Sequence, residues 1–262
     1  MVRSMILTDD FVFLHPPKTG GTFVAAMLAR LYPAGTQRVR ARLGGTRPLG
    51  APARQQVHKH AARHQIPASH AHLPVLATVR SPFEAYVSIY EFGEWRKGRA
   101  NSELSRYDWD RVHHDYPSFP DLTFSQFCRV FAQVGYRLDT PDRSDLGWQT
   151  VRYAAQFAPA PAPDVTSSSH DIVTALTVGT RDVHFIHTEN LNQELFERRG
   201  EVGVPEDRRR FILDAAKVLP TKGGRRPDQA WHAYYDEDLM AHVRLIDAAM
   251  LTRFPEYAEL GR

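Results

Sequence analysis

Residues 11–22 read Phe-Val-Phe-Leu-His-Pro-Pro-Lys-Thr-Gly-Gly-Thr, and this stretch decides the fold. Phe11–His15 is a short run of β-branched and aromatic residues that a proline pair stops, so it predicts a buried strand. From Thr22 to Leu31 apolar residues recur at helical spacing, which predicts a helix. A strand, a glycine-containing turn and a helix in this order form a phosphate site, because backbone N–H groups and the helix N-terminus both point at the anion.

The rest of the chain repeats the alternation of strand and helix. Two further apolar runs, Val75–Val79 and Val183–His187, predict buried strands. Helical patterns cover residues 22–31, 82–96, 123–134, 147–157, 190–199, 206–218 and 236–253. This alternation favours an α/β fold with a mainly parallel central sheet and helices on both faces. We expect one domain over residues 1–262, with an insertion at about 97–145.

Composition narrows the class of protein. Lys and Arg exceed Asp and Glu by 33 to 30, a net charge of +3 that argues against a bulk nucleic-acid binder. Cys128 is the single cysteine, so no intrachain disulfide forms and a reducing compartment fits. We see no signal peptide and no apolar run long enough to span a bilayer, and therefore expect a cytoplasmic protein. The oligomeric state is left open.

The phosphate loop differs from that of nucleotide-triphosphate enzymes. Their pattern is G-x-x-x-x-G-K-[ST], in which the lysine follows the glycines. Here Lys18 precedes Gly20 and Gly21, and no glycine lies upstream of it in the loop. A kinase or NTPase would also need a strand-end aspartate for Mg²⁺, which we do not find in that arrangement.

The order Pro-Lys-Thr-Gly-Gly-Thr after a hydrophobic strand resembles the 5′-phosphosulfate loop of sulfotransferases that use 3′-phosphoadenosine 5′-phosphosulfate (PAPS). The match is best with the carbohydrate and bacterial branch that shares a domain with heparan 2-O-sulfotransferases. The resemblance implies a P-loop-like three-layer α/β/α fold, PAPS as co-substrate, adenosine 3′,5′-bisphosphate as product and no metal. It assigns donor binding to Pro17, Lys18, Thr19, Gly20, Gly21, Thr22 and Phe23, although this branch often has serine at the position of Phe23.

A second anion motif follows the second predicted strand. Arg80 offers a planar fork of donors suited to phosphate, and Ser88 lies eight residues later, a little over two helical turns. The pair resembles the 3′-phosphate signature of the same family. The basic segment 221–227 resembles the loop that closes the nucleotide site, which adds Lys222 and Arg225 to the expected donor contacts. Residues 187–191 also resemble the family.

Sulfuryl transfer needs a base for the acceptor hydroxyl and positive charge around the transferring group. The segment Val57-His58-Lys59-His60 resembles the His-x-His segment of the 2-O-sulfotransferase branch, which implies His60 as the base with His58 beside it. Lys18 would bridge the leaving phosphate and the sulfuryl group. Five histidines are crowded in this part of the sequence: His58, His60, His64, His70 and His72. Two alternatives remain open for them, namely metal ligation and simple exposure at the surface. Glu84 and Glu91 are alternative bases.

The acceptor is the least determined part of this interpretation. We expect a carbohydrate or small natural product, and no nucleic acid. The aromatic insertion either lines an acceptor pocket or packs on the core as a lid; its residues are Trp95, Tyr107, Trp109, His113, His114, Tyr116 and Phe119. Two other functions stay open: a P-loop-type nucleotide kinase or NTPase, and a catalytically inactive nucleotide- or glycan-binding module.

Overall fold

A computed structural model describes residues 5–32, 37–38, 40–42, 45–47, 61–140, 143–159, 163–216 and 230–260. The chain forms two compact units. The first unit comprises Met1–Arg80 and Gly179–Arg225, and the second comprises Ser81–Val178 and Arg226–Arg262. Four of the predicted site residues lie outside the described residues: His58, His60, Lys222 and Arg225.

The first unit contains a five-stranded sheet in the order β3-β1-β2-β6-β7 and a separate β4-β5 hairpin. Its strands are β1 (Ile6–Leu7), β2 (Val12–Leu14), β3 (Gln37–Arg38), β4 (Arg40–Arg42), β5 (Gly45–Arg47), β6 (Val75–Val79) and β7 (Val183–His187). β2, β6 and β7 run parallel, whereas β1 pairs antiparallel with β2 and with β3. The sheet is therefore mixed.

The three predicted strands are confirmed, and burial explains why they were readable. Every residue of β2 and β6 is buried, as expected for parallel strands covered on both faces. The antiparallel strands β1 and β3 are only two residues long, too short to give a pattern of their own. The α/β class is confirmed in this coarse form.

The helices are α1 (Gly21–Leu31), α2 (Pro82–Phe92), α3 (Trp109–Asp115), α4 (Phe124–Phe127), α5 (Trp148–Phe157), α6 (Ser169–Thr180), α7 (Leu191–Glu201), α8 (Glu206–Arg209), α9 (Glu237–Ile246) and α10 (Ala248–Arg253). Thr123 caps α4 as predicted, with Gln126 completing a capping box. A π-helical turn, Cys128–Ala132, continues α4. The sequence did not indicate α6.

Two predicted helices end earlier than expected, and a third is interrupted within its predicted range. α2 stops at Phe92 because Gly93 takes a left-handed conformation (φ 72°) and closes the helix. The helix predicted from Glu206 ends at Arg209, and a short 3₁₀ turn follows it. The predicted C-terminal helix is broken into α9 and α10 at Asp247.

One apolar cluster joins the sheet of the first unit to α1 and α7. Val24, Leu28 and Leu31 project from α1 and are almost wholly buried, which confirms the helical stripe read from the sequence. They pack with residues of β2, β6 and α7, including Phe13, Leu76, Leu191 and Leu195. This packing holds the N-terminus of α1 beside the carboxyl end of β2.

Asp247 organises the core of the second unit. It is fully buried and accepts hydrogen bonds from the Thr150 amide and hydroxyl (both 2.8 Å) and from the Tyr86 hydroxyl (2.5 Å). The amide belongs to the first turn of α5, so this carboxylate satisfies a helix end that Gly147 cannot cap. Burial raises the pKa of Asp247 to about 6. The break between α9 and α10 thus has a structural role.

None of the helices described by the structure is both long enough and apolar enough to cross a membrane.

Candidate functional site

The loop after β2 has an unusual backbone. Lys18 and Gly20 both have positive φ angles, 64° and 77°. Lys18 is the only non-glycine residue with this conformation in the part of the chain that the structure describes. The left-handed region costs an L-residue about 1–2 kcal/mol, and such costs cluster at ligand sites. The positive φ angle of Lys18 therefore marks this loop as a candidate ligand site.

The N-terminus of α1 presents free donors at this loop. The Gly20 carbonyl accepts the amides of Phe23 (2.9 Å) and Val24 (3.3 Å). Within the described residues, the amides of Gly20, Gly21 and Thr22 donate to no protein acceptor. Three such N–H groups at the positive end of an 11-residue helix form a cradle for an anion.

Buried hydroxyls fix the loop to the sheet. The Thr19 hydroxyl lies 2.8 Å from Pro16 O, to which it donates, and 2.5 Å from the Thr78 hydroxyl on β6, with which it shares a hydrogen bond. The Thr188 hydroxyl reaches both Thr19 O (3.1 Å) and Val79 O (2.8 Å). These bonds tie the loop to the carboxyl ends of β6 and β7. The cradle is consequently held in place without a ligand.

The two glycines of the loop are required by close neighbours. A Cβ on Gly21 would stand 2.6 Å from Nε2 and 2.7 Å from Cγ of His15, whose buried ring stacks on Phe13. A Cβ on Gly20 would collide with the Leu191 side chain, and φ 77° already disfavours any other residue there. The Gly-Gly pair therefore follows from both space and backbone conformation.

Arg80 follows β6 at the same edge of the sheet. Its Nη1 donates to the carbonyl of Lys18 at 3.1 Å, so the structure brings these two predicted donor-binding residues together. The guanidinium is half-buried and carries five N–H donors in all. A cation at this edge adds positive charge beside the amide cradle.

The remaining predicted residues differ in where they lie. Pro17 and Thr22 are half-buried in the loop and first helical turn. Phe23 is placed in the core, and its amide is engaged by Gly20, so its side chain lies away from the cradle. Ser88 lies partly buried on α2 in the second unit, and its contact with a 3′-phosphate stays a prediction.

Sequence reasoning missed a histidine–glutamate pair at the end of β7. The His187 Nδ1 lies 3.0 Å from Glu194 Oε2, and the same carboxylate oxygen accepts the His187 amide at 2.8 Å. Their spacing of seven residues across a strand and a helix gives no recognisable motif. The sequence predicted His15 only as the last residue of a strand, although its ring packs against Gly21.

The aromatic insertion packs largely as core of the second unit. Trp95, Tyr107 and Trp109 are at most 5% exposed. Ring centroids lie 5.2 Å apart for Trp95 with Phe127 and for Tyr107 with Phe131. This favours the packed-lid interpretation for these three rings. A cavity of about 290 Å³ lies beside Tyr107 and Trp109, bordered also by Arg99, Ser105, Asp108, Asp110 and Leu138.

Of the crowded histidines, His64, His70 and His72 lie among the described residues. Among the described residues, no group of three His, Cys, Asp or Glu side chains is arranged to hold a metal ion. His58 and His60 lie outside those residues, and their role stays a prediction.

Comparisons of the chain with models of known protein families, with curated proteins and with solved structures find no match.

Proposed function

We propose that this protein is a PAPS-dependent sulfotransferase that moves a sulfuryl group to a hydroxyl of a carbohydrate or small natural product. The observation that carries the proposal is the cradle of Gly20, Gly21 and Thr22 amides beside Lys18 and Arg80. Backbone donors and two cations at adjacent parallel strand ends suit a ligand with phosphate at both ends of a ribose. The proposal includes a three-layer P-loop-like arrangement and a cytoplasmic location.

The residues around the cradle favour this reaction over Mg²⁺-dependent phosphoryl transfer. β6 lies next to β2 and reads Val-Leu-Ala-Thr-Val, with Arg80 after it, so it supplies no carboxylate for Mg²⁺. Lys18 stands before the glycines, with its carbonyl bonded to Arg80. Cationic side chains would therefore neutralise the leaving phosphate in place of a metal ion.

The roles follow from the chemistry of in-line transfer. The acceptor oxygen forms a bond to sulfur while the bond from sulfur to the 5′-phosphate oxygen breaks, and adenosine 3′,5′-bisphosphate leaves. His60 takes the acceptor proton, with His58 beside it, and Lys18 stabilises charge on the bridging oxygen. Arg80 and Ser88 hold the 3′-phosphate, and Lys222 and Arg225 close over the nucleotide.

Turnover with sulfur-labelled PAPS tests the proposal against the alternatives. The protein should transfer label to at least one member of a panel of sugars and phenols, release adenosine 3′,5′-bisphosphate, and keep full activity in chelator. Hydrolysis or transfer from ATP that requires Mg²⁺ would identify a kinase or NTPase instead. Tight binding of adenosine 3′,5′-bisphosphate with no transfer to any acceptor would identify an inactive binding module.

A further inference from the structure

The helix α5 of the second unit is buried although it carries many polar side chains. Gln149, Arg152 and Gln156 recur at helical spacing and form one polar stripe along it. Gln149 is 1% exposed and Gln156 6% exposed. Buried polar groups are nearly always hydrogen-bonded, so each unsatisfied one calls for a physical reason.

Two donors on this stripe have no partner. The Gln149 side-chain nitrogen and Arg152 Nε are both shielded from solvent and make no hydrogen bond. The Gln149 oxygen is occupied, because it accepts Arg152 Nη2 at 2.6 Å. This bond fixes the two side chains relative to each other. The pair therefore offers N–H groups only.

Among the residues that the structure describes, Arg152 is not held by a carboxylate within hydrogen-bonding distance, although the charge of Asp247 acts on it. In the described part of the chain Arg152 forms no salt bridge, and the oxygens of Asp247 are taken by Tyr86 and Thr150. Burial lowers the pKa of the partly buried Arg152, and the charge of Asp247 acts in the opposite direction. A shielded donor without a partner is unfavourable, and an anion bound at Nε would supply the missing hydrogen bond.

We propose that Gln149 and Arg152 form a second anion-binding site, which takes the carboxylate, sulfate or phosphate group of a small molecule. Two unpartnered donors on side chains that are bonded to each other match a ligand oxygen that only accepts, and a guanidinium donor suits an oxyanion. The site is separate from the loop of the first unit and does not depend on sulfuryl transfer. The anion comes either from the medium or from an acidic sugar.

Calorimetric titration of the full-length protein tests the proposal, with sulfate and glucuronate as probes and glucose as the neutral control. Wild type should bind an oxyanion, and Arg152→Gln should lose about 10- to 100-fold in affinity, the range for a hydrogen bond to a charged group. Gln149→Met, which keeps the volume of the side chain, should lose about tenfold. Glucuronate binding well above sulfate identifies an acidic sugar, and sulfate alone identifies a free anion.

Controls separate this site from the loop and from misfolding. Arg129→Gln makes the same change of charge at an exposed arginine of the same unit and should bind both probes as wild type does. Lys18→Ala should leave this binding event intact. If Arg152→Gln fails to fold by circular dichroism, Arg152→Lys replaces it and should bind more weakly for want of a planar fork. Equal affinities in wild type, the Gln149 variant and the Arg152 variant would overturn the proposal. Failure to bind adenosine 3′,5′-bisphosphate would refute only the donor site.

Discussion

The substitution Gly20→Ala tests whether the loop conformation is required for both stability and anion binding. Gly20 has φ 77°. An added Cβ would collide with Cδ1 of Leu191 and would lie 3.5 Å from both Cδ2 and Cγ of that residue. The left-handed backbone costs about 1–2 kcal/mol, and overpacking a core side chain adds about 1–3 kcal/mol. We expect a total loss of about 2–5 kcal/mol in the free energy of unfolding.

Gly203→Ala is the matched control because it isolates the backbone cost. Gly203 has φ 82°, lies in the same unit, and an added Cβ would meet nothing within 4 Å. It should lose only about 1–2 kcal/mol and keep its affinity for adenosine 3′,5′-bisphosphate. The Gly20 variant should bind that nucleotide more than tenfold more weakly, because its amides would be displaced.

Urea unfolding gives both free energies, and calorimetry gives the affinities. Adding Leu191→Ala to Gly20→Ala should relieve the collision with the added Cβ. The double-mutant cycle should therefore show a favourable coupling of about 1–3 kcal/mol in the free energy of unfolding. Equal losses of stability for the two glycine variants would mean that Leu191 yields freely. Unchanged nucleotide affinity in Gly20→Ala would refute the role of the loop amides.

Three further predictions concern single side chains. Lys18→Ala should slow single-turnover transfer at saturating PAPS far more than it weakens donor binding, since the lysine acts on transition-state charge; an unchanged rate would exclude the bridging role. His60→Ala should lower turnover by a factor of about 10² to 10⁴ while the affinity for PAPS stays nearly constant, and His58→Ala should lower turnover less. Loss of a bound ion in both variants would indicate a metal site instead. Burial raises the pKa of Asp247 to about 6, above its unfolded value, so the stability it contributes is present below about pH 4 and is lost as the pH rises through 6. Between about pH 4 and pH 6 the free energy of unfolding measured with urea should fall by about 3 kcal/mol more for wild type than for Asp247→Asn. The same pH dependence of that free energy in both proteins would contradict the assignment.

The sequence predicted the elements that carry a strong local signal. The strands β2 and β6 are buried throughout, so their apolar runs are readable without any partner, and the strand, the Gly20-Gly21 turn and the helix of the loop are adjacent in sequence. The N-cap of Thr123 was readable for the same reason, because a capping box lies within four residues.

What the sequence could not predict depends on contacts between distant residues. The carboxylate of Asp247, at the interruption between α9 and α10, accepts hydrogen bonds from Thr150, 97 residues away, and nothing near Asp247 signals that contact. The His187–Glu194 pair and the Thr19–Thr78 bond likewise join different elements. The polar stripe on α5 resembles a solvated face in sequence, and only its burial reveals the unpartnered donors. Such features follow from tertiary packing rather than from local propensity.

The affinities of adenosine 3′,5′-bisphosphate and adenosine 5′-phosphate for wild type and Arg80→Ala test the donor site most directly. Arg208→Ala is the control, since Arg208 bonds Leu31 O at the opposite end of α1. We predict that wild type prefers the bisphosphate and that Arg80→Ala loses about 10- to 100-fold for it while adenosine 5′-phosphate binds nearly as before, because the lost charged hydrogen bond is to the 3′-phosphate. Equal losses for both nucleotides, or no preference in wild type, would contradict the assignment.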